Sequence, residues 1–570
     1  MDVLSTALQH LGYAERPQQR RLYEALLAND ELVAQAGTGV GKSIAILSAA
    51  FQRSIIEKPS LVVVPTNVLM DQYALKDGPA FAEATGAVVR TLKGRGNYLC
   101  PYGSGWMGPD VSDDLKARLA SLDVQEVGPD EADFGCPGSR ICKGAKDSSH
   151  CHYVHARDLL AGADVIITNA NLLVIESSFI QMRKAAAEAA LLEEDDGDDD
   201  QPAGEGPRIF PDFGMVFVDE AHTLEAVVRE SVGVTIGLRT VVSMEEAGEG
   251  MAAYLRQWRG EDPVRTYPNA ALAQALHGLR RWKIPENPQG HKRRIEVKEA
   301  AEKLYTLGSN GAFTNSAAVM WVEPGERAVL KAMPVSVALT AGSMLTNGPF
   351  ALVSATVPST MAGSLGVAHA PFLDVGHPFD YRRQAALAIS GYAGTYTAAQ
   401  TNTGTRADEL CERILAHGGG ALALFTSYRD LDAVHRRLAP RLRKAGLTVL
   451  RQERDSMKRE LGERFKADGN AVLFATRSFA TGFDAPGDAL RFVAIWKLPF
   501  PGQSPLVSAI RDRSWAAYED MMLVEMTQAA GRLIRTDQDQ GEVWIGDNRA
   551  HRYVSRSDPM LFHFRDFRRI

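Results

Sequence analysis

A chain of 570 residues with 45% hydrophobic content can bury several cores, and at roughly 100–200 residues per domain it should divide into three to five units. No run approaches the ~18 apolar residues of a bilayer span, and the opening MDVLSTALQHLGYAERP lacks the charged and apolar regions of a secretory leader, so a cytoplasmic protein with no membrane partner is expected. The net charge of −7 excludes a uniformly basic surface, but seven acidic residues stand in 191–200 alone; the neutral remainder holds 63 Lys and Arg, enough to line one groove.

The first clear element is the strand LVAQA, which runs into Ala36-Gly37-Thr38-Gly39-Val40-Gly41-Lys42-Ser43 and then an apolar helix start, IAILSAAF. Glycines let backbone N–H groups turn inward around phosphates, Lys42 reaches the β- and γ-oxygens, and Ser43 holds Mg²⁺ at the helix N-terminus. Ala36 replaces the usual first glycine; the strand–loop–helix context still identifies a nucleotide-binding loop. The next strand, SLVVVPT, ends in Pro65-Thr66-Asn67.

From about residue 97 to 157 the strand pattern lapses and four of the five cysteines appear: Cys100, Cys136, Cys142 and Cys151, separated by 35, 5 and 8 residues. Five cysteines in a chain this long, without a leader, argue against a disulfide framework and for a metal site or isolated core thiols. Four thiolates satisfy an iron–sulfur cluster, whereas zinc sites favour tight pairs; zinc, with His150, His152 or His155 as a substitute ligand, is the alternative. After the strand DVIITNA comes the acidic stretch 191–206, too poor in apolar residues to pack and expected to be a disordered loop.

The strand in Met215-Val216-Phe217-Val218-Asp219-Glu220-Ala221-His222 delivers two adjacent carboxylates to its carboxyl end. Asp219 suits Mg²⁺, often through water, and Glu220 suits orienting and deprotonating an attacking water, which with Lys42 makes a nucleoside triphosphate hydrolase. A capped helix start would explain Asp219 alone but not the whole run. Residues 237–333 mix helical pattern with basic patches at 280–282 and 291–294, which fit a solvated helix face as well as a nucleic-acid contact.

The strand ALVSAT closes the first series, and ALALFTS, AVLFATR, FVAIWKL and EVWIGD form a second. Near-continuous apolar strands alternating with helices mean parallel sheets buried on both faces, hence two α/β domains with function at the strand carboxyl ends and in the cleft between them. Cys411, alone in a helical pattern, reads as a packing residue. Before the last strand, Gln528-Ala529-Ala530-Gly531-Arg532-Leu533-Ile534-Arg535 reads as helical, with Arg532 and Arg535 on one face. A cation brought from the opposite domain stabilises the transferred phosphoryl group, by roughly 10³–10⁵ in rate.

Taken together, these motifs resemble the XPD/DinG family of superfamily 2 DNA helicases from about Arg16 to Arg549. Arg16-Pro17-Gln18-Gln19 resembles the adenine-reading Q motif, Pro65-Thr66-Asn67 motif Ia, Ser354-Ala355-Thr356 motif III, Phe425-Thr426-Ser427-Tyr428 motif IV and 478–484, with Thr481 and Asp484, motif V. The words flanking Cys100 and Cys151 resemble the family's cluster domain. The resemblance implies two RecA-like parallel-sheet domains, with an iron–sulfur domain and a helical arch-like insert in the first. It divides the chain at 1–96, 97–160, 161–236, 237–333, 334–377 and 378–570, where 1–96, 161–236 and 334–377 build the first helicase domain and 378–570 the second.

The same resemblance implies ATP, Mg²⁺ and a 4Fe–4S cluster, with Arg16, Gln19, Gly37, Thr38, Gly39, Gly41, Lys42, Ser43, Asp219, His222 and Asp484 around the nucleotide. Gln528, Arg532 and Arg535 join Lys42, Asp219 and Glu220 in catalysis, and Thr66, Asn67, Ser427, Arg477 and Thr481 grip phosphates. It further implies a monomer moving 5′ to 3′ on single-stranded DNA and opening forked or R-loop duplexes. Repair, removal of RNA–DNA hybrids and service to a type IV CRISPR effector complex are all roles found in the family; the short second insert is compatible with the last. An ATP-gated clamp that binds single strands without processive movement is the rival reading.

Overall fold

The computed structural model describes residues 2–54, 58–98, 151–192, 207–257, 270–284, 292–309, 317–392, 396–454, 458–480, 485 and 487–570. Its strands, in chain order, are β1 (Glu31–Gln35), β2 (Ser60–Val64), β3 (Val89–Leu92), β4 (Val165–Asn169), β5 (Val216–Val218), β6 (Val234–Gly237), β7 (Ala318–Glu323), β8 (Val329–Pro334), β9 (Phe350–Ser354), β10 (Phe372–Asp374), β11 (Ala385–Ile389), β12 (Ala421–Phe425), β13 (Thr448–Arg451), β14 (Ala471–Thr476), β15 (Phe492–Ile495), β16 (Gly541–Ile545) and β17 (Arg568–Arg569).

Two seven-stranded sheets result, in the orders β10-β1-β9-β5-β2-β4-β3 and β13-β14-β12-β15-β16-β11-β17, and every pairing in both is parallel. The cause is visible in the strands themselves. All residues of β2, β4, β9, β12 and β15 are buried, so these strands need cover on both faces, which only crossover helices supply. The helix Lys42–Ser54 provides such cover: seven consecutive residues from Ile44 to Ala50 are buried, a helix apolar almost all round.

The second insert carries more than helices. Antiparallel β6, β8 and β7 form a three-stranded sheet against which the helices Leu238–Val242, Glu246–Gln257, Ala270–Arg281 and Lys292–Ser309 pack through one core. Arg280 of the first basic patch lies 3.7 Å from the Tyr305 ring centroid, and Arg294 of the second donates to Ser243 Oγ at 3.2 Å, so both patches are tied partly to their own insert.

The cysteine-bearing stretch and the acidic run fall almost wholly at 99–150 and 193–206, outside the described residues, as do Thr481 and Asp484. Tyr98 and Tyr153, on either side of the first of these stretches, meet edge to face with centroids 5.5 Å apart. Among the described residues no helix is long and apolar enough to cross a membrane.

Candidate active site

Strand β1 stops at Gln35, and the chain turns through a loop whose Gly39 and Gly41 have φ of 82° and 86° before the helix beginning at Lys42. That left-handed backbone is open to glycine and expensive for other residues. Several predicted residues converge on the loop: Gln19 donates to Gly41 O at 3.0 Å, and Arg16 lies 5.7 Å from the ring centroid of Phe379, whose ring covers Gly39. Thr38 sits half-buried at the crown of the loop, while Gly37 N donates to Gly376 O at 3.1 Å. Phe379, His377 and Gly376 belong to the segment joining the two sheets; nothing in HPFD as a sequence marked it as a lid over the loop.

At the neighbouring strand end, β5 delivers Asp219, 3% exposed, beneath the loop. The buried Tyr73 hydroxyl donates to Asp219 Oδ2 at 2.9 Å and is also hydrogen-bonded to Ser43. One phenol therefore bridges the two side chains expected to share Mg²⁺, which places them close enough for a common ion. Burial, reinforced by Asp219, holds Tyr73 neutral by raising its pKa well above the usual range. Tyr73 escaped the sequence reading; it opens the π-helical turn Tyr73–Asp77, a distortion common at functional sites.

Glu220 adopts φ 50° and ψ 43°, a left-handed conformation rare for such a residue, and its own N–H donates to Asp219 Oδ1 at 2.9 Å. Its carboxylate lies 3.8 Å from Lys42 Nζ. Burial opposes ionisation of Glu220, but Lys42, His222 and then Arg532 outweigh it and hold the carboxyl low; Asp219 is pushed up by burial and next by the Glu220 charge. The pair thus divides, with Glu220 the member held ionised.

His222 links this strand end to the opposite domain. Ser354 Oγ gives its one proton to Thr356 O at 2.9 Å and accepts from Thr356 N, so the 2.8 Å contact with His222 requires imidazole Nδ1–H as donor. Nε2 then carries the lone pair, and Gln528 Nε2 donates to it at 2.6 Å. Gln528 lies on the second domain's helix Trp515–Ala530, whose buried residues face several sides because both domains cover it.

That helix stops at Ala530, so Arg532 and Arg535 do not share a helix face as the sequence pattern predicts. Gly531 caps the helix, and the Asp539 carboxylate accepts from Arg535 N and Thr536 N at 2.6 and 2.7 Å, pinning a turn in place of further helix. The turn separates the two arginines. Arg532 donates to Ala480 O at 2.8 Å and contributes charge at Glu220, whereas Arg535 acts on the buried Tyr381 and His563.

The residues assigned to nucleic acid fall in two places. Thr66 and Asn67 are exposed beyond β2, where Thr66 Oγ1 caps a short helix by accepting from Leu69 N. Ser427, which caps the helix Tyr428–Lys444, and Arg477 line a second-domain groove of about 1120 Å³ together with Arg429, Lys497, Arg549, Phe500 and Tyr518. Phe500 stacks on Tyr518 with Arg549 over its ring, which suits bases beside a phosphate backbone, and Arg477, Lys497 and Arg549 are each paired with a carboxylate, Glu525, Asp430 and Asp547. Of the four clustered cysteines only Cys151 is described, half-buried before the helix His152–Asp158; Cys411 is fully buried in the second domain's core.

Residues 16–96 match the DEAD/DEAH box helicase family and 410–558 the helicase C-terminal domain. The chain is 27% identical to an ATP-dependent helicase DinG of Mycobacterium tuberculosis over 96% of its own length and 92% of the relative's. It is 26% identical to the ATP-dependent DNA helicase YoaA of Escherichia coli, with 94% and 92% covered. A solved XPD helicase superposes with a TM-score of 0.59 at 18% identity, over 97% of this chain and 99% of that one.

Proposed function

We propose that the chain is an XPD/DinG-like superfamily 2 helicase that moves 5′ to 3′ on single-stranded DNA and separates forked or R-loop duplexes. The observation that supports an ATP-driven motor most directly is the grouping of Lys42, Glu220 and Arg532, two from the first domain and one from the second; the polarity rests on the family resemblance alone. Lys42 and the loop amides hold the triphosphate; Glu220 orients water and takes its proton. Arg532, from the other domain, meets the charge that develops on the γ-phosphoryl group only when the domains are together. Ser43 and Asp219 would hold Mg²⁺, which would supply neutralisation of the phosphate oxygens.

Alternating closure and opening then carries the phosphate grips, Thr66 and Asn67 on one domain and Ser427, Arg477 and Thr481 on the other, past one another. Hydroxyls, amides and cations that hold phosphates carry no base code, so movement is independent of sequence. The division of the chain at 97–160 and 237–333 follows the same reading, in which Cys100, Cys136, Cys142 and Cys151 would hold a 4Fe–4S cluster and the first insert would act as part of a strand-separating wedge. The meeting of Tyr98 with Tyr153 supports it, because it brings the two ends of that insert together. We assign the protein as a monomer, with accessory service to a type IV CRISPR effector as one role its compact length permits.

Strand displacement with ATP tests the central claim: a fork with a 5′ single-stranded arm is opened and one with only a 3′ arm is not. DNA-stimulated hydrolysis without displacement of any substrate would favour an ATP-gated clamp. The purified protein is expected to be brown, and serine at any of the four cysteines bleaches it; a colourless protein with stoichiometric zinc removes the cluster and leaves the motor.

A further inference from the structure

The helix Trp515–Ala530 bears a second contact with the first domain that no motif covers. Asp520 is 5% exposed, and its carboxylate accepts from Ser359 Oγ at 3.1 Å, Thr360 N at 2.9 Å and Thr360 Oγ1 at 2.8 Å. All three donors lie on the first domain, a few residues beyond Ser354-Ala355-Thr356. A carboxylate buried against hydroxyls and an amide is a poor choice for adhesion, since apolar residues would hold the same surface without the desolvation penalty. Burial accordingly pushes this carboxyl above the ordinary carboxylate range.

Asp520 and Gln528 are eight residues apart on one helix, about 12 Å along its axis. The segment from Ser354 to Thr360 is therefore held at both ends, at one through His222 to Gln528 and at the other to Asp520. We propose that Asp520 is a positioning residue, clamping the segment after Thr356 to the second domain so that the state of the nucleotide crevice is transmitted as relative movement of the two domains.

This rests on the helicase reading, which strand displacement by the wild-type protein judges separately. The clamp is judged by the ratio of DNA-stimulated to DNA-free ATP hydrolysis in the full chain. Asp520→Ala should leave DNA-free turnover and the KM for ATP within twofold while cutting stimulation at least fivefold. Asp520→Asn, which still accepts from Thr360 N, should keep most of it. The pair Ser359→Ala with Thr360→Val removes the two hydroxyl donors from the other domain, leaves Thr360 N in place, and serves if Asp520→Ala fails to fold; it should cut stimulation at least twofold but by less than Asp520→Ala, and all three changes together should lose no more than Asp520→Ala alone. Full stimulation in either variant, or losses that multiply on combination, would overturn the proposal.

Discussion

Replacing Gln528 with Ala removes the donor to His222 Nε2, and the structure sets the size of the effect. The imidazole sits only 8% exposed at its side chain, and its Nδ1–H is held between Ser354 Oγ at 2.8 Å and Glu220 Oε2 at 3.3 Å, so the stranded Nε2 lone pair has no alternative orientation to adopt. Leaving such an acceptor unpaired costs about 1–3 kcal/mol, equivalent to roughly 5- to 150-fold. Because the bond spans the two domains, the loss falls on the closed state that brings Arg532 to Glu220, and it should appear in kcat for DNA-stimulated hydrolysis with the KM for ATP little changed. His222→Ala should lose at least as much, and the double variant should fall short of the sum, the mark of two residues in one network. Steady-state kinetics at saturating single-stranded DNA measures all four proteins. A Gln528→Ala enzyme within twofold of wild type in kcat, or fully additive losses, would show that the 2.6 Å contact does not contribute to closure.

Three other outcomes follow from the same geometry. Lys42→Ala should abolish turnover, whereas Glu220→Gln should retain ATP binding and stop hydrolysis; a filter-binding assay beside a phosphate-release assay separates the two, and undiminished turnover in both would reject the catalytic assignment. Gly39→Ala should weaken ATP binding at least tenfold, since its φ of 82° disfavours any side chain and a Cβ would run into the Phe379 ring; a nucleotide titration that matches wild type would refute this. His563 is buried with neither ring nitrogen hydrogen-bonded, and burial, then His377 and Arg535, depress its pKa well below the ordinary value. The unfolded chain takes up that proton below about pH 6.5 and the folded chain does not, so this stability is complete above pH 6.5 and declines by up to ~1.4 kcal/mol per unit as pH falls. Thermal melts from pH 8 to 5 should show a shallower acid decline in His563→Leu than in wild type; parallel curves would dismiss the histidine as the cause.

Both sheets were legible in sequence where strands are continuous apolar runs, as in SLVVVPT and ALALFTS. The strands that escaped have physical reasons for doing so. Val89–Leu92 and Thr448–Arg451 are four-residue edge strands, half of them polar, with no continuous apolar run to mark them, and Ala385–Ile389 is rich in alanine, which favours helix. The phosphate loop and the carboxylates of β5 were legible because their chemistry is local. Tyr73, Phe379 and Asp520 were not, since each acquires its partner from 140 or more positions away or from the opposite domain. The end of the helix before Arg532 was misread for a related reason: apart from Gly531, which caps the helix, QAAGRLIR is made of helix formers, and the turn beyond is pinned by Asp539.

The left-handed backbone at Glu220 sets heat tolerance against turnover at a single position. Glycine or asparagine would relax that conformation, by roughly 1 kcal/mol or more. A library sorted purely for survival at elevated temperature should therefore accumulate those two residues at 220 and yield hardier proteins that no longer consume ATP.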